Sequence, residues 1–363
     1  MARPQVLIDG VAFENHNQIG VWRVFFEVIS RLKSRVDFVL LLERAAVNGI
    51  PRGIQAIHSS HRCKGHHRTR ALTQWRRQLA SRRLEKIFPD AIWHSSYFTQ
   101  DPRSRGRSIV HIYDMIAERF HFYSDELENQ CSLKFDAVSR ADCAICISTT
   151  TAGELVRFFP AMKGRVFTAP LGAEHIPCPE HREARRTTTC LYVGHRSSYK
   201  NFQLIVRSLA LPQWPAAMTL TVVGSSFTAS ELAYLKYQDV ESKVNHLGRL
   251  TDTELSQQYS RSHCYICPSL DEGFGLPVLE SQAHGCLPVL SDIPVFREVS
   301  GGAAAFFHPH DPKSLAEEVA FTMSSQYGIS RSSCIQNSKR YSWEETAEIT
   351  YNCYLQLANS IAK

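Results

Sequence analysis

Apolar runs and amphipathic stretches alternate along most of this chain. Val6-Leu7-Ile8 reads as a buried strand ended by Asp9-Gly10. A polar loop runs to Gln18-Ile19-Gly20. Then Val24, Phe25, Val28, Ile29 and Leu32 recur at the spacing of a helix with one buried face. Strand-like runs follow at 36–42, 91–94, 109–113, 141–148 and 166–169, with a helix at 152–159 for which Ser148 and the threonines after it supply N-caps. Residues 177–186, rich in proline, histidine and charge, read as a linker. A second series follows: a strand at 190–194, a helix at 202–209, and strands at 218–224, 264–267 and 287–290. Thr251 and Glu254 form a capping box, and Ser342-Trp343 starts a last helix running towards 362. Strands alternating with helices, twice over, predict two Rossmann-like parallel-sheet α/β domains over 1–175 and 187–342.

The length of 363 residues suits two cores of this kind. Nothing at the start resembles a signal peptide, and no apolar run reaches the ~18 residues of a membrane span, so a cytoplasmic location is expected. The net charge of +6 is unevenly spread. Nine Lys or Arg and one acid, Glu85, lie between Arg62 and Lys86. Within 62–88, Leu72, Trp75, Leu79, Leu84, Ile87 and Phe88 form an apolar stripe. Two readings stay open: a helix resting on an anionic membrane at the inner face of the cell membrane, or a surface helix packed on its own domain. No nucleic-acid-binding motif accompanies the charge. The eleven cysteines include Cys143/Cys146 and Cys264/Cys267. Strand positions three apart point to opposite faces, so these pairs read as small buried apolar residues rather than zinc ligands.

Two segments carry candidate chemistry. The first is 268–280, the end of a strand, a glycine loop and a helix start. Pro277 suits the first helical turn, and Gly285 suits the C-terminal cap. Gly273 and Gly275 permit close backbone approach, and a helix start offers N–H groups and partial positive charge, a phosphate-binding arrangement. Glu272 and Glu280 bracket it. The second is Gly194-His195-Arg196-Ser197-Ser198-Tyr199-Lys200-Asn201, again strand, glycine, basic loop, helix.

The run Glu272-Gly-Phe-Gly-Leu-Pro-Val-Leu-Glu280 resembles the Glu-x7-Glu signature of the retaining glycosyltransferases of family four, and Lys200-Asn201 matches the family's usual Lys-Asn. The resemblance implies a GT-B fold, two Rossmann-like domains facing an interdomain cleft, with a terminal helix at 343–363 crossing back to the first, acceptor-binding domain. It implies that Arg196 and Lys200 bind the donor diphosphate, helped by the loop from Gly273 through Phe274 and Gly275 to Leu276. Glu272 is then expected at the sugar and Glu280 at the ribose. Backbone near Leu250 is expected at the nucleobase, and Gly20 near the phosphates. Where relatives carry His-Asp, this chain has Tyr113-Asp114, expected to line the cleft, with His111 on the same strand face as Tyr113. Ile19 replaces the first of the family's paired glycines.

The implied activity is transfer of a hexosyl unit, mannose-type favoured, to a glycan or lipid-linked acceptor in surface-polysaccharide synthesis. The donor is a nucleotide sugar, GDP-mannose ahead of UDP- or dTDP-sugars. No metal or other cofactor is expected, since the chain has no Asp-x-Asp and two cations are at hand. The alternatives are a sugar-nucleotide epimerase of the same fold and a catalytically degenerate scaffold.

Overall fold

A computed structural model describes residues 3–14, 19–43, 46, 49–58, 82–103, 106–120, 125–178, 187–196 and 198–361. The chain forms two compact units, one of Met1–Leu171 with Trp343–Lys363 and the other of Gly172–Ser342. The first unit's long segment closes at Leu171 instead of 175.

The first unit holds β1 (Gln5–Asp9), β2 (Asp37–Leu42), β3 (Gln55–His58), β4 (Ile92–Ser95), β5 (Arg107–Ile112), β6 (Cys143–Cys146) and β7 (Val166–Thr168). All pair in parallel, in the order β3-β2-β1-β4-β5-β6-β7. The order reverses between β1 and β4, as in a doubly wound sheet. Leu7, Val39, Leu41 and Trp93 pack with Leu84 and Phe88. The terminal helix Trp343–Ile361 belongs to this unit: its Tyr354 hydroxyl lies 2.7 Å from Nδ1 of His94, and its Glu348 pairs with Arg35.

The second unit holds β8 (Thr189–Val193), β9 (Thr219–Val223), β10 (Val244–Gly248), β11 (Cys264–Cys267), β12 (Leu287–Ser291) and β13 (Ala305–Phe307). These are also parallel, in the order β10-β9-β8-β11-β12-β13. Its core joins Tyr192, Ile205, Leu220 and Ile266 to the covering helices. β10 ends on a positive-φ glycine, Gly248 at +70°, and its neighbours β9 and β8 lead into two more, Gly224 at +152° and Gly194 at +133°. A Cβ on Gly224 would stand 2.6 Å from the carbonyl oxygen of Gly194, so the strand ends approach closely only with glycine there.

Three details differ from the sequence expectation. The loop after β1 contains a short helix, Val11–Glu14. Gly20 lies inside the first turn of the helix Ile19–Leu32 and not in an open turn. Within 62–88, residues 62–81 lie outside the described residues, while Leu84 and Phe88 are buried against β1, β2 and β4 and Ile87 is exposed. Among the described residues, no helix is long and apolar enough to cross a membrane.

Candidate active site

In an open parallel sheet, ligands bind beyond the carboxyl ends of the strands where the order reverses. In the second unit that point lies between β8 and β11. The loops that leave it are 194–200 and 268–275, the two segments singled out from sequence.

These loops are tied to each other. The Leu270 N–H donates to the carbonyl of Tyr199 at 2.8 Å. Asn201, at φ +53°, donates its side-chain amide to the carbonyls of Pro268 (3.1 Å) and Pro309 (2.8 Å). Lys200 is thereby held against Glu272, with Nζ to Oε1 at 2.7 Å; the hydroxyl of Ser269 donates to the same oxygen, also at 2.7 Å. Both side chains keep a solvent-facing part, 24% for Lys200 and 14% for Glu272, so the pair can be reached by a ligand. Burial alone pushes Lys200 down, but the Glu272 carboxylate more than offsets it and the ammonium pKa stands above its ordinary value.

The helix Leu276–Ala283 starts at Gly275, whose φ is +90°. A Cβ there would meet the Phe296 ring at 2.8 Å, so this tight entry demands glycine. Phe274 is buried with its ring edge-on to Tyr341, so the expected contribution of this loop falls to its backbone. Leu276 is half-buried at the helix start. Glu280, one turn further, is only 6% exposed. Its Oε1 lies 3.0 Å from Nε2 of His175, and its Oε2 accepts from the Tyr259 hydroxyl at 2.9 Å.

Arg196 departs most from expectation. Its guanidinium turns inward, donating to Glu231 (2.8 and 3.2 Å) and to the carbonyls of Ser225 (2.7 Å) and Ser226 (2.8 Å), and it stacks on Phe227 at 4.4 Å. A guanidinium has five donor hydrogens, and four of these bonds are already made. Arg196 therefore clamps the loop after β9 instead of presenting a free cation. Its neighbour His195 is lowered from the ordinary histidine pKa by partial burial and by the charges of Lys200, Arg249 and Arg196. Arg249, an exposed cation at the end of β10, was not foreseen. Leu250 is half-buried beside it.

In the first unit the equivalent reversal point is filled. The buried Asp9 accepts from the Ser96 N–H at 2.7 Å and from the hydroxyls of Ser96 and Thr99. The Tyr113 hydroxyl donates to the Ser96 carbonyl at 3.0 Å, and its ring stacks on His111 at 4.9 Å. Burial, with the Asp9 charge added, raises Tyr113 well above its ordinary pKa. Its one proton is committed to the Ser96 carbonyl and only 9% of the residue is exposed. Asp114 is 37% exposed; its carboxylate accepts from the Ile116 N–H at 3.0 Å and lies 3.8 Å from Lys134. The histidine His111 is not at the surface: with His94 it forms a buried stacked pair, 5.6 Å between ring centres.

The members of each Cys-x-x-Cys face different neighbours. Cys143 meets Cys353 at 3.3 Å and Cys264 meets Cys190 at 3.3 Å, while Cys267 lies 3.5 Å from the Ser269 hydroxyl. Among the described residues, no three His, Cys, Asp or Glu side chains are grouped to hold a metal ion.

The profile of the domain "Glycosyl transferases group 1" matches residues 179–341, which lie within the second unit and contain both loops. O-antigen chain mannosyltransferase B of Escherichia coli is 24% identical over 236 residues, covering 60% of this chain and 62% of the relative. Serotype-specific mannosyltransferase WbdA of Escherichia coli is 25% identical over 246 residues, 62% of this chain and 30% of the relative. The match thus spans 62% of the length of the first of these relatives and 30% of the second. Among solved structures, sucrose-phosphate synthase from Thermosynechococcus elongatus superposes with a TM-score of 0.75 at 15% identity, covering 99% of this chain and all of that one. The Anabaena protein HepE, solved in complex with UDP and glucose, gives 0.72 at 15% identity, with 99% and 100% covered. The fold is that of the GT-B glycosyltransferases: two Rossmann-like parallel-sheet domains.

Proposed function

We propose that this chain, whose second unit is a group 1 glycosyltransferase domain, is a hexosyltransferase that draws a sugar from a nucleoside-diphosphate donor. The observation that carries the reading is the Lys200–Glu272 pair, fixed at the reversal point of the second sheet beside a glycine-led helix start. Lys200 and the helix start supply positive charge for a diphosphate, which gains charge as the glycosidic bond breaks. Glu272, anchored by Ser269, offers its second carboxylate oxygen to sugar hydroxyls and to developing positive charge at the anomeric carbon. Glu280 binds the ribose hydroxyls.

A mannose-type sugar is favoured, because the two relatives named above are an O-antigen chain mannosyltransferase and a serotype-specific mannosyltransferase. GDP-mannose is the first donor to try, with a glycan or lipid-linked glycan as acceptor. In the first unit the acceptor-side role falls to Asp114 alone. Transfer is read as retaining: the signature containing both glutamates supports it, and the leaving phosphate takes the acceptor proton. Since Arg196 is occupied, the second cation facing the diphosphate is Arg249.

The test is incubation with GDP-mannose and a polyprenyl-diphosphate-linked glycan, following GDP release and the anomeric signal of the product. Acceptor-dependent GDP release and a product with the donor's anomeric configuration are expected. Conversion of the nucleotide sugar to its epimer without acceptor and without net GDP release points to an epimerase, and an inverted product overturns the retaining reading.

A further inference from the structure

We infer that His175 and Tyr259 are positioning residues that hold the Glu280 carboxylate ready for a vicinal diol, and so set the preference for ribo- over deoxyribonucleotide donors. The inference rests on the reading of Glu280 as the ribose acceptor.

A carboxylate on a helix has several rotamers, and a ligand that must select one loses affinity. Here the selection is made in advance. His175 approaches Oε1 at 3.0 Å, and the Tyr259 hydroxyl donates to Oε2 at 2.9 Å. The side chain of His175 is 4% exposed and Tyr259 is fully buried, so neither bond competes with bulk water. Burial first, then the Glu280 charge, raises Tyr259 well above its ordinary pKa, which keeps its proton in place as the donor. Tyr259 is itself fixed: His284 stacks on its ring with centres 5.6 Å apart. His284 lies with Nδ1 2.8 Å from the Glu280 carbonyl and Nε2 3.0 Å from the Ser256 hydroxyl. That hydroxyl donates to the Pro177 carbonyl at 2.7 Å, next to the segment carrying His175.

Each carboxylate oxygen accepts about two hydrogen bonds. One such bond to each oxygen is made by His175 and Tyr259, which leaves an acceptor position on each of the two oxygens of one carboxylate. Hydroxyls on adjacent carbons meet that spacing, whereas a single hydroxyl uses only half of it. A pocket that loses one hydrogen bond to a charged acceptor loses about 1.5–3 kcal/mol, so a 2'-deoxy donor should bind roughly 10–100-fold less tightly. With the carboxylate free to rotate, that discrimination falls.

The experiment compares binding of GDP and 2'-deoxy-GDP by calorimetry, and KM and kcat for the nucleotide sugar. The variants are His175→Ala, His175→Gln and Tyr259→Phe, with Glu280→Gln as reference. His175→Ala is expected to raise KM about tenfold with kcat little changed and to shrink the ribo/deoxy ratio. His175→Gln, whose amide N–H sits near the position of Nε2, should recover most of both. If Tyr259→Phe does not fold, the two His175 variants decide alone. Glu280→Gln losing the discrimination while His175→Ala keeps it overturns the positioning role and leaves the donor reading standing. Wild-type protein binding neither nucleotide overturns the donor reading itself.

Discussion

Lys200 and Glu272 meet through a single 2.7 Å contact, although 71 residues separate them along the chain, and Ser269 shares the same carboxylate oxygen. The backbone bond from Leu270 to Tyr199 and the Asn201 amide on Pro268 set that distance before any ligand arrives. In the function proposed above, this preset pair would meet the phosphate with its cation and the sugar with its carboxylate.

Glu272→Gln keeps the shape of the side chain and removes the charge. Transfer should fall by about 100-fold or more, the usual loss when one preorganised transition-state group is removed. Far-UV circular dichroism and the unfolding midpoint should stay close to wild type. Single-turnover kinetics on the variant check it.

Lys200→Met removes the cation proposed to bind the diphosphate. Nucleoside diphosphate affinity should drop by about 10–100-fold, matching a hydrogen bond to a charged group. The loss should shrink as salt is raised, because the charge contribution is screened. Calorimetry at two salt concentrations measures both.

Arg196→Met should behave differently, because its guanidinium closes the loop after β9. A loss of about 2–3 kcal/mol in stability is expected, reduced from the cost of a fully buried pair because Glu231 is partly exposed. Denaturant unfolding checks this, with a smaller change in nucleotide affinity than Lys200→Met gives.

The buried His94–His111 pair predicts a pH dependence of stability. Burial lowers the pKa of His111 to about 3, and burial with the neighbouring His111 lowers that of His94 well below its ordinary value. The unfolded chain takes up these protons near pH 6.5, so below that point it binds more protons than the folded chain. Stability is therefore fully present above about pH 6.5 and is lost as pH falls towards 3. Unfolding free energies at pH 7.5 and pH 5 should show the decline, and His111→Phe, which can keep the stack with Phe25 and Tyr113, should flatten it.

The strand–helix alternation and both glycine loops were legible in the sequence, because period and turn chemistry are local properties. The direction in which a side chain turns is not. Arg196 and Lys200 sit four residues apart in one basic loop, yet only the positions of Glu231 and Glu272, far along the chain, decide that one points in and the other towards the site. Tyr113 likewise reads as an aromatic at a strand end, and its commitment depends on the Ser96 carbonyl, 17 positions earlier at the end of the preceding strand. His175 gave no signal at all: its partner lies 105 residues on, and no motif spacing joins them. Short elements such as β13 and the helix Val11–Glu14 were missed because three or four residues carry too little pattern.

The claim that the second unit grips a nucleoside diphosphate through Lys200 is tested most directly by calorimetric titration of GDP, UDP and dTDP into wild-type protein and Lys200→Met. A single saturable site, weakened at least tenfold in the variant, is the predicted result. No binding of any of the three, or equal affinity in both proteins, would contradict it.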